Sequence, residues 1–143
     1  MDLNYINSLI SKAVYKKQKI TFCNYDKNTV GVTWDGFAMY FIPEKDFIFD
    51  RDKLYHAWID KDRFITTNGY ADAVRSNELI ACDKKTLAVF KNYNTEVFVD
   101  LKLLKPFDSR TSTYKIKDPS SGVLVYENDI LVGLVMPTRY NRK

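Results

Sequence analysis

Apolar residues near the start of the chain recur at intervals of three and four, which is the period of one helix face. They are Leu3, Ile6, Ile10, Ala13 and Val14. Asp2 precedes this run, and its carboxylate can accept a hydrogen bond from a free backbone N–H at the start of a helix. The pattern predicts an amphipathic helix over residues 2–17 that docks on a sheet.

After residue 18 apolar and polar positions alternate, which is typical of β-strands. Strands are predicted at residues 19–24, 29–34 and 37–42. Asp35 and Gly36 separate the last two and predict a tight hairpin turn, because glycine tolerates the positive φ that such turns need. The first 43 residues are therefore expected to form one helix and a three-stranded meander.

The middle of the chain is less regular. Residues 44–63 mix charged and aromatic side chains and fit either a helical connection or an irregular crossing. One or two helical turns are predicted at residues 70–77, and a short helix at residues 101–107 with Asp100 as its cap. Further short strands are predicted at residues 64–67, 79–81, 86–90, 96–99 and 113–117.

The best-specified segment is a hairpin over residues 122–139, in which two β-branched runs flank a turn at residues 127–129. All the elements together predict an α+β fold with two or three helices on a largely antiparallel sheet. Short connections argue against a parallel doubly wound sheet. A single domain is expected over residues 1–143, with regions 1–43, 44–95 and 96–143.

Composition agrees with one packed domain. Hydrophobic residues make up 45% of the 143 residues and aromatic residues 15%, which is enough for a core and excludes global disorder. No apolar run approaches the roughly 20 residues of a membrane span, and no secretory pattern opens the chain. We therefore expect a cytoplasmic protein that does not contact membranes.

Net charge says little about the partners of the protein, because the chain has 22 basic and 18 acidic residues and a net charge of only +4. The excess is concentrated at the two ends of the chain. Lys12, Lys16 and Lys17 cluster near the end of the predicted helix, where cations interact favourably with the helix dipole. They are interpreted either as the solvated face of a docked helix or as a contact to nucleic acid.

Patterns that indicate catalysis are missing from the sequence. No glycine-rich phosphate loop and no zinc-binding pattern is present, so we expect no cofactor and no metal. Cys23, Cys82 and the single histidine, His56, are the only candidates for a nucleophile and base. Because nothing in their spacing marks such a site, Cys23 is interpreted as buried, His56 as structural or surface, and the protein as not an enzyme.

The last 45 residues resemble the final segment of a bacterial sliding-clamp (DNA polymerase III β-subunit) domain. In that family the segment begins with a strand and a leucine-rich helix, and two more strands follow. The terminal strand then ends in an apolar pair, Pro, any residue and Arg. Here that ending is Val135, Met136, Pro137, Thr138 and Arg139. The resemblance implies that Val135, Met136, Pro137 and Arg139 line a pocket for short peptides of replication proteins. Alternatively, Val135 and Met136 close the core.

Three functions remain open from the sequence. The leading one is a non-catalytic, clamp-domain-like protein that binds a protein or protein–nucleic-acid partner of replication, with DNA contact and homo-oligomer formation both open. The second is a phage anti-defence inhibitor, for example an anti-CRISPR protein, acting in the host cytoplasm on a nuclease or another effector. The third is a small cysteine-dependent enzyme built from Cys23 or Cys82 with His56.

Overall fold

The computed structural model describes residues 1–142, and residues 63 and 64 by their backbone alone. Its longer helix is α1 (Leu3–Tyr15), and α2 (Lys61–Phe64) is a single turn. The strands are β1 (Ile20–Asp26), β2 (Thr29–Thr33), β3 (Ala38–Pro43), β4 (His56–Ile59), β5 (Ala71–Cys82), β6 (Lys85–Lys91), β7 (Glu96–Asp100), β8 (Ser112–Ile116), β9 (Val123–Glu127) and β10 (Ile130–Val135). Three 3-10 helices are η1 (Glu44–Asp46), η2 (Arg51–Lys53) and η3 (Leu101–Leu104). The predicted single-domain α+β fold is confirmed.

All ten strands belong to one sheet in the order β4-β1-β2-β3-β10-β9-β8-β5-β6-β7. The pairing of β4 with β1 is parallel, and every other pairing is antiparallel. Two meanders, β1-β2-β3 and β8-β9-β10, meet at the β3–β10 pair. A helical element precedes each meander, α1 before the first and η3 before the second. The centre of the sheet thus joins the first and last thirds of the chain.

The twelve-residue strand β5 is shared between two parts of the sheet. Residues 71–73 pair with β8, whereas the rest of the strand pairs with β6. Arg75 lies opposite Phe90 and Leu79 lies opposite Ala88, so β5 contains two extra residues over this interval. A bulge of this kind bends the strand and increases its twist.

The main core lies between α1 and the inner face of the sheet. Ile6 and Ile10 of α1 are fully buried there with Phe22, Tyr40 and Phe90. A second cluster occupies the opposite face of the central strands and is covered by side chains from the segment after β4. Its buried members are Cys23, Met39, Phe41, Leu124, Leu131 and Leu134. The central strands are therefore buried on both faces, which explains their nearly continuous apolar runs.

Several local predictions are confirmed. Oδ1 of Asp2 accepts a hydrogen bond from the Tyr5 N–H at 3.0 Å and caps α1. Gly36 has the expected positive φ of 77°, although it lies in a four-residue loop between β2 and β3 and not in a tight two-residue turn. The turn between β9 and β10 places Asn128 and Asp129 at φ values of 52° and 63°, which is the conformation that favours a tight two-residue hairpin.

Other predictions of local structure are wrong or incomplete. The strand predicted at residues 64–67 is absent, and residues 70–77, predicted as helical turns, belong mostly to β5. Most side chains of β5 are exposed or half-buried, so its sequence lacks the apolar alternation that marks a strand. The region 44–63 contains β4, which pairs with β1. The helix predicted at 101–107 is the shorter 3-10 helix η3, and Asp100 caps it as expected.

Gly133 of β10 lies where the ring of Phe107 approaches the sheet, and a Cβ at this position would overlap that ring. Phe107 is only 7% exposed and has little room to move. We expect Gly133→Ala to lower the free energy of unfolding by about 1–3 kcal/mol through overpacking, as measured by urea denaturation.

The double variant Gly133→Ala with Phe107→Leu provides the control. The smaller leucine leaves room for the added methyl group. The double variant should therefore lose less stability than the sum of the losses in Gly133→Ala and Phe107→Leu measured separately. Equal stability of Gly133→Ala and the unmodified protein would contradict this account of the packing.

Candidate functional site

One candidate site is an open cavity of about 520 Å³ between the β5–β6 turn and η3. Its walls combine cationic side chains with an apolar floor. The floor includes Leu104 and Phe107, which are 3% and 7% exposed. The cationic side chains are Arg75, Lys84, Lys85, Lys102 and Lys105.

Local features of the fold position four of the five cations. Arg75 stands at the start of the bulge in β5. Lys84 lies in the two-residue turn between β5 and β6. This turn is short because Asp83 adopts a positive φ of 54°. Lys102 and Lys105 are presented by η3 and its C-cap. The Tyr40 hydroxyl of β3 donates to the Leu103 carbonyl at 3.1 Å and fixes η3 to the sheet.

The Tyr40 hydroxyl that holds η3 is itself buried. Burial, with a smaller contribution from the charge of Asp35, raises the pKa of Tyr40 well above its ordinary value of 10.0. The hydroxyl therefore remains protonated and able to donate throughout the physiological range. This hydrogen bond gives the cavity wall a support that does not change with pH.

The cavity carries a net positive charge. Among the described residues that line it, Asp100 is the one carboxylate, and this side chain already accepts a hydrogen bond from the Lys102 backbone N–H at 3.1 Å. Within residues 1–142, none of the five cations forms an ion pair with a carboxylate. An anion entering the cavity would therefore meet cations that are not already neutralised.

Helix α1 extends this positive surface. Nζ of Lys105 lies 4.9 Å from the ring centroid of Tyr5, and the Asp2 N–H donates to the Pro106 carbonyl at 2.7 Å. Lys12 and Lys16 lie seven and eleven positions after Tyr5, so they share its flank of the helix. This flank runs along about 16 Å of helix, from Tyr5 beside the cavity to Lys12 and Lys16.

The lysines predicted to contact nucleic acid are all exposed. Lys12 and Lys16 lie on the flank of α1 described above, and Lys17 follows the helix with a positive φ of 60°. Beside them the ring of Tyr15 is 88% exposed. Their role in binding nucleic acid remains a prediction.

The four residues predicted to line a peptide pocket do not form one exposed rim. Val135 is fully buried in the main core, which corrects the expectation that it contacts a partner. Met136 is 38% exposed and its N–H donates to the Phe37 carbonyl at 2.8 Å. Pro137 is half-buried and Arg139 is exposed. A binding role for these last three remains a prediction.

A nucleophilic pair of Cys23 and His56 is not formed. Cys23 belongs to the cluster on one face of the sheet, whereas the ring of His56 lies against Phe22 on the other face. Nδ1 of His56 is 2.9 Å from the Leu54 carbonyl. Cys82 packs near Leu87 in a separate cluster. The geometry therefore gives no support to the cysteine-dependent enzyme.

Two further findings concern other classes of site. Among the residues that the structure describes, no group of three His, Cys, Asp or Glu side chains is placed to hold a metal ion. In the same part of the chain, every helix is too short or too polar to cross a membrane.

The basic cavity was not predicted from the sequence because its cations come from three separate segments. Arg75 lies in a region interpreted as helical, and Lys84 and Lys85 carry no signal beyond that of a turn. The sequence did contain one signal for a basic surface, the pair Lys102 and Lys105. These two lysines are three residues apart, so they lie on the same side of a short helix.

Burial raises the pKa of the Cys23 thiol above its ordinary value of 9.0, and the charges of Asp60 and Asp62 act in the same direction against Lys61. Because the thiolate is the reactive form, we expect iodoacetamide at pH 8 to modify the half-buried Cys82 first. Intact-mass measurement should show one adduct in the native protein and two after denaturation in urea. Modification of Cys23 at least as fast as Cys82 in the native protein would show that the thiol is accessible and activated.

Comparison with known proteins found no matching family model, no similar curated protein and no similar solved structure. The interpretation of the basic cavity therefore depends on its own geometry and charge.

Proposed function

We propose that the protein is a non-catalytic binding protein that engages a nucleic-acid-containing partner of replication through the basic cavity and the adjoining flank of α1. The observation that carries the proposal is the set of five cations around one cavity, beside a carboxylate that is already engaged. Phosphate groups are the anions that such a surface binds most readily in a cell.

The shape of the cavity favours a ligand that is both charged and apolar. Its rim is cationic, and its floor is formed by leucine and phenylalanine side chains, including Leu101 and Leu104. A nucleic-acid strand presents phosphates on one side and flat, weakly polar bases on the other. The Tyr5 ring under Lys105 offers aromatic surface beside the cavity.

The clamp-like part of the proposal is supported by the order of the C-terminal elements. Strand β7, the helical turn η3 and strands β8, β9 and β10 follow one another in the sequence that the resemblance implies. The first meander, with α1 before it, has the same arrangement and meets the second at the β3–β10 pair. One such domain fits an accessory protein of replication better than a complete ring.

The test is binding of a fluorescein-labelled single-stranded DNA of about 20 nucleotides, followed by fluorescence anisotropy between about 50 and 200 mM NaCl. We expect affinity to fall steeply with salt, because each neutralised phosphate releases counterions. The variant Lys102→Gln with Lys105→Gln should bind at least about tenfold more weakly near 100 mM NaCl. Its salt slope should decrease by about one for each phosphate that is no longer neutralised.

A matched control is Lys27→Gln with Lys45→Gln, which removes the same charge from exposed lysines of the β1–β2 turn and η1. This variant should bind like the unmodified protein. Lys12→Gln with Lys16→Gln should give an intermediate loss of affinity if the flank of α1 extends the site. Equal losses in all three variants would indicate nonspecific attraction, and salt-independent or absent binding would overturn the proposal.

A further inference from the structure

The last residues of the chain leave the sheet and cross to a distant strand. We call residues 136–142 the C-terminal strap. After β10, the Thr138 N–H of the strap donates to the Phe98 carbonyl at 2.8 Å. Phe98 lies in the middle of β7, the last strand in the sheet order. The strap therefore covers the open edge of the sheet.

The strap uses only part of that edge. Because backbone groups alternate in direction along a strand, the bond to Phe98 shows that Glu96 and Phe98 both point their N–H and C=O groups away from β6. In the described part of the chain, the strap backbone bonds one of these groups, the Phe98 carbonyl. The remaining groups are available to a better-aligned strand.

Side chains of the strap supply the rest of the contact. The ring of Tyr140 meets the ring of Phe98 at 5.1 Å between centroids and 68° between planes. Nε of Arg142 donates to Glu96 at 2.7 Å, and another guanidinium nitrogen donates to Glu78 at 3.0 Å. The same guanidinium lies 5.5 Å from the Phe98 ring centroid. The surface under the strap thus accepts an aromatic ring followed by an arginine two positions later.

The strap is held loosely enough to be displaced. The Arg142 side chain is 39% exposed and its two glutamate partners are 30% and 40% exposed, so water competes with both ion pairs. Hydrogen bonds from Arg142 lower the pKa of Glu78 from its ordinary value of 4.5, which keeps this glutamate ionised at neutral pH. A segment that made the same side-chain contacts and more backbone bonds would bind better than the strap.

We propose that the outer edge of β7 is a docking site for an extended segment of a partner protein that carries an aromatic residue and, two positions later, an arginine. The strap occupies this site in the free protein. The occupant is defined by the acidic pair Glu78 and Glu96, the Phe98 ring and the unused backbone groups of the edge. This surface is separate from the basic cavity, so the inference does not depend on the proposed function.

The probe is a fluorescein-labelled peptide with the sequence of residues 137–143, Pro-Thr-Arg-Tyr-Asn-Arg-Lys, measured by anisotropy against the full chain. The variant Tyr140→Ala with Arg142→Ala removes the side-chain contacts of the strap but leaves Glu78, Glu96 and Phe98 intact. We expect this variant to bind the peptide at least about tenfold more tightly than the unmodified protein, in which the strap competes. A peptide with Ala and Glu in place of its Tyr and second Arg should not bind.

Two further variants make the test decisive. Arg139→Ala alters an exposed arginine of the strap and should behave like the unmodified protein. Adding Glu78→Gln and Glu96→Gln to the double variant should abolish binding of the peptide. If the double variant loses its circular dichroism spectrum, Arg142→Ala alone replaces it. Absence of binding, equal binding to all variants, or binding of the altered peptide would each overturn the proposal.

Discussion

The bulge in β5 is the constraint on which the rest of the structure depends. Two extra residues between Arg75 and Leu79 bend the strand, and β6 and β7 then contribute to the same core as α1. The bulge also contributes a residue to each of the two proposed binding surfaces. Arg75 at its start faces the basic cavity, and Glu78 near its end pairs with Arg142. A perfectly paired β5 would change the core, the cavity and the covered edge together.

The two surfaces are chemically opposite, so the two proposals require ligands of opposite charge. One is cationic with an apolar floor and suits phosphates, and the other is acidic and aromatic and suits an arginine-bearing strand. In the proposed function the cationic surface holds a nucleic-acid strand, and in the further proposal the acidic surface holds a protein segment. The strap that covers the acidic surface includes Met136 and Arg139.

Local features were predictable from the sequence because local physics determines them. The cap at Asp2, the hairpin turn at Asn128 and the strands of both meanders follow from side-chain chemistry and apolar alternation. Strand β5 was predicted only at residues 79–81. Its other residues are mostly exposed and are held by backbone pairing with β8 or β6, not by an apolar pattern. The cavity escaped prediction for a related reason, since cations from three segments meet only after the sheet bends. Even the burial of Val135 depends on partners far away in the sequence.

The central pairing of β3 with β10 has a consequence for how the protein forms in a cell. Tyr40 lies opposite Gly133, about ninety positions later, so this contact has a large sequence separation and closes slowly. During synthesis the first meander emerges with the edge of β3 open, because its partner β10 follows only about ninety positions later. An unpaired apolar strand edge readily associates with other chains. Association of the open β3 edge with other chains therefore competes with folding until β10 has been made.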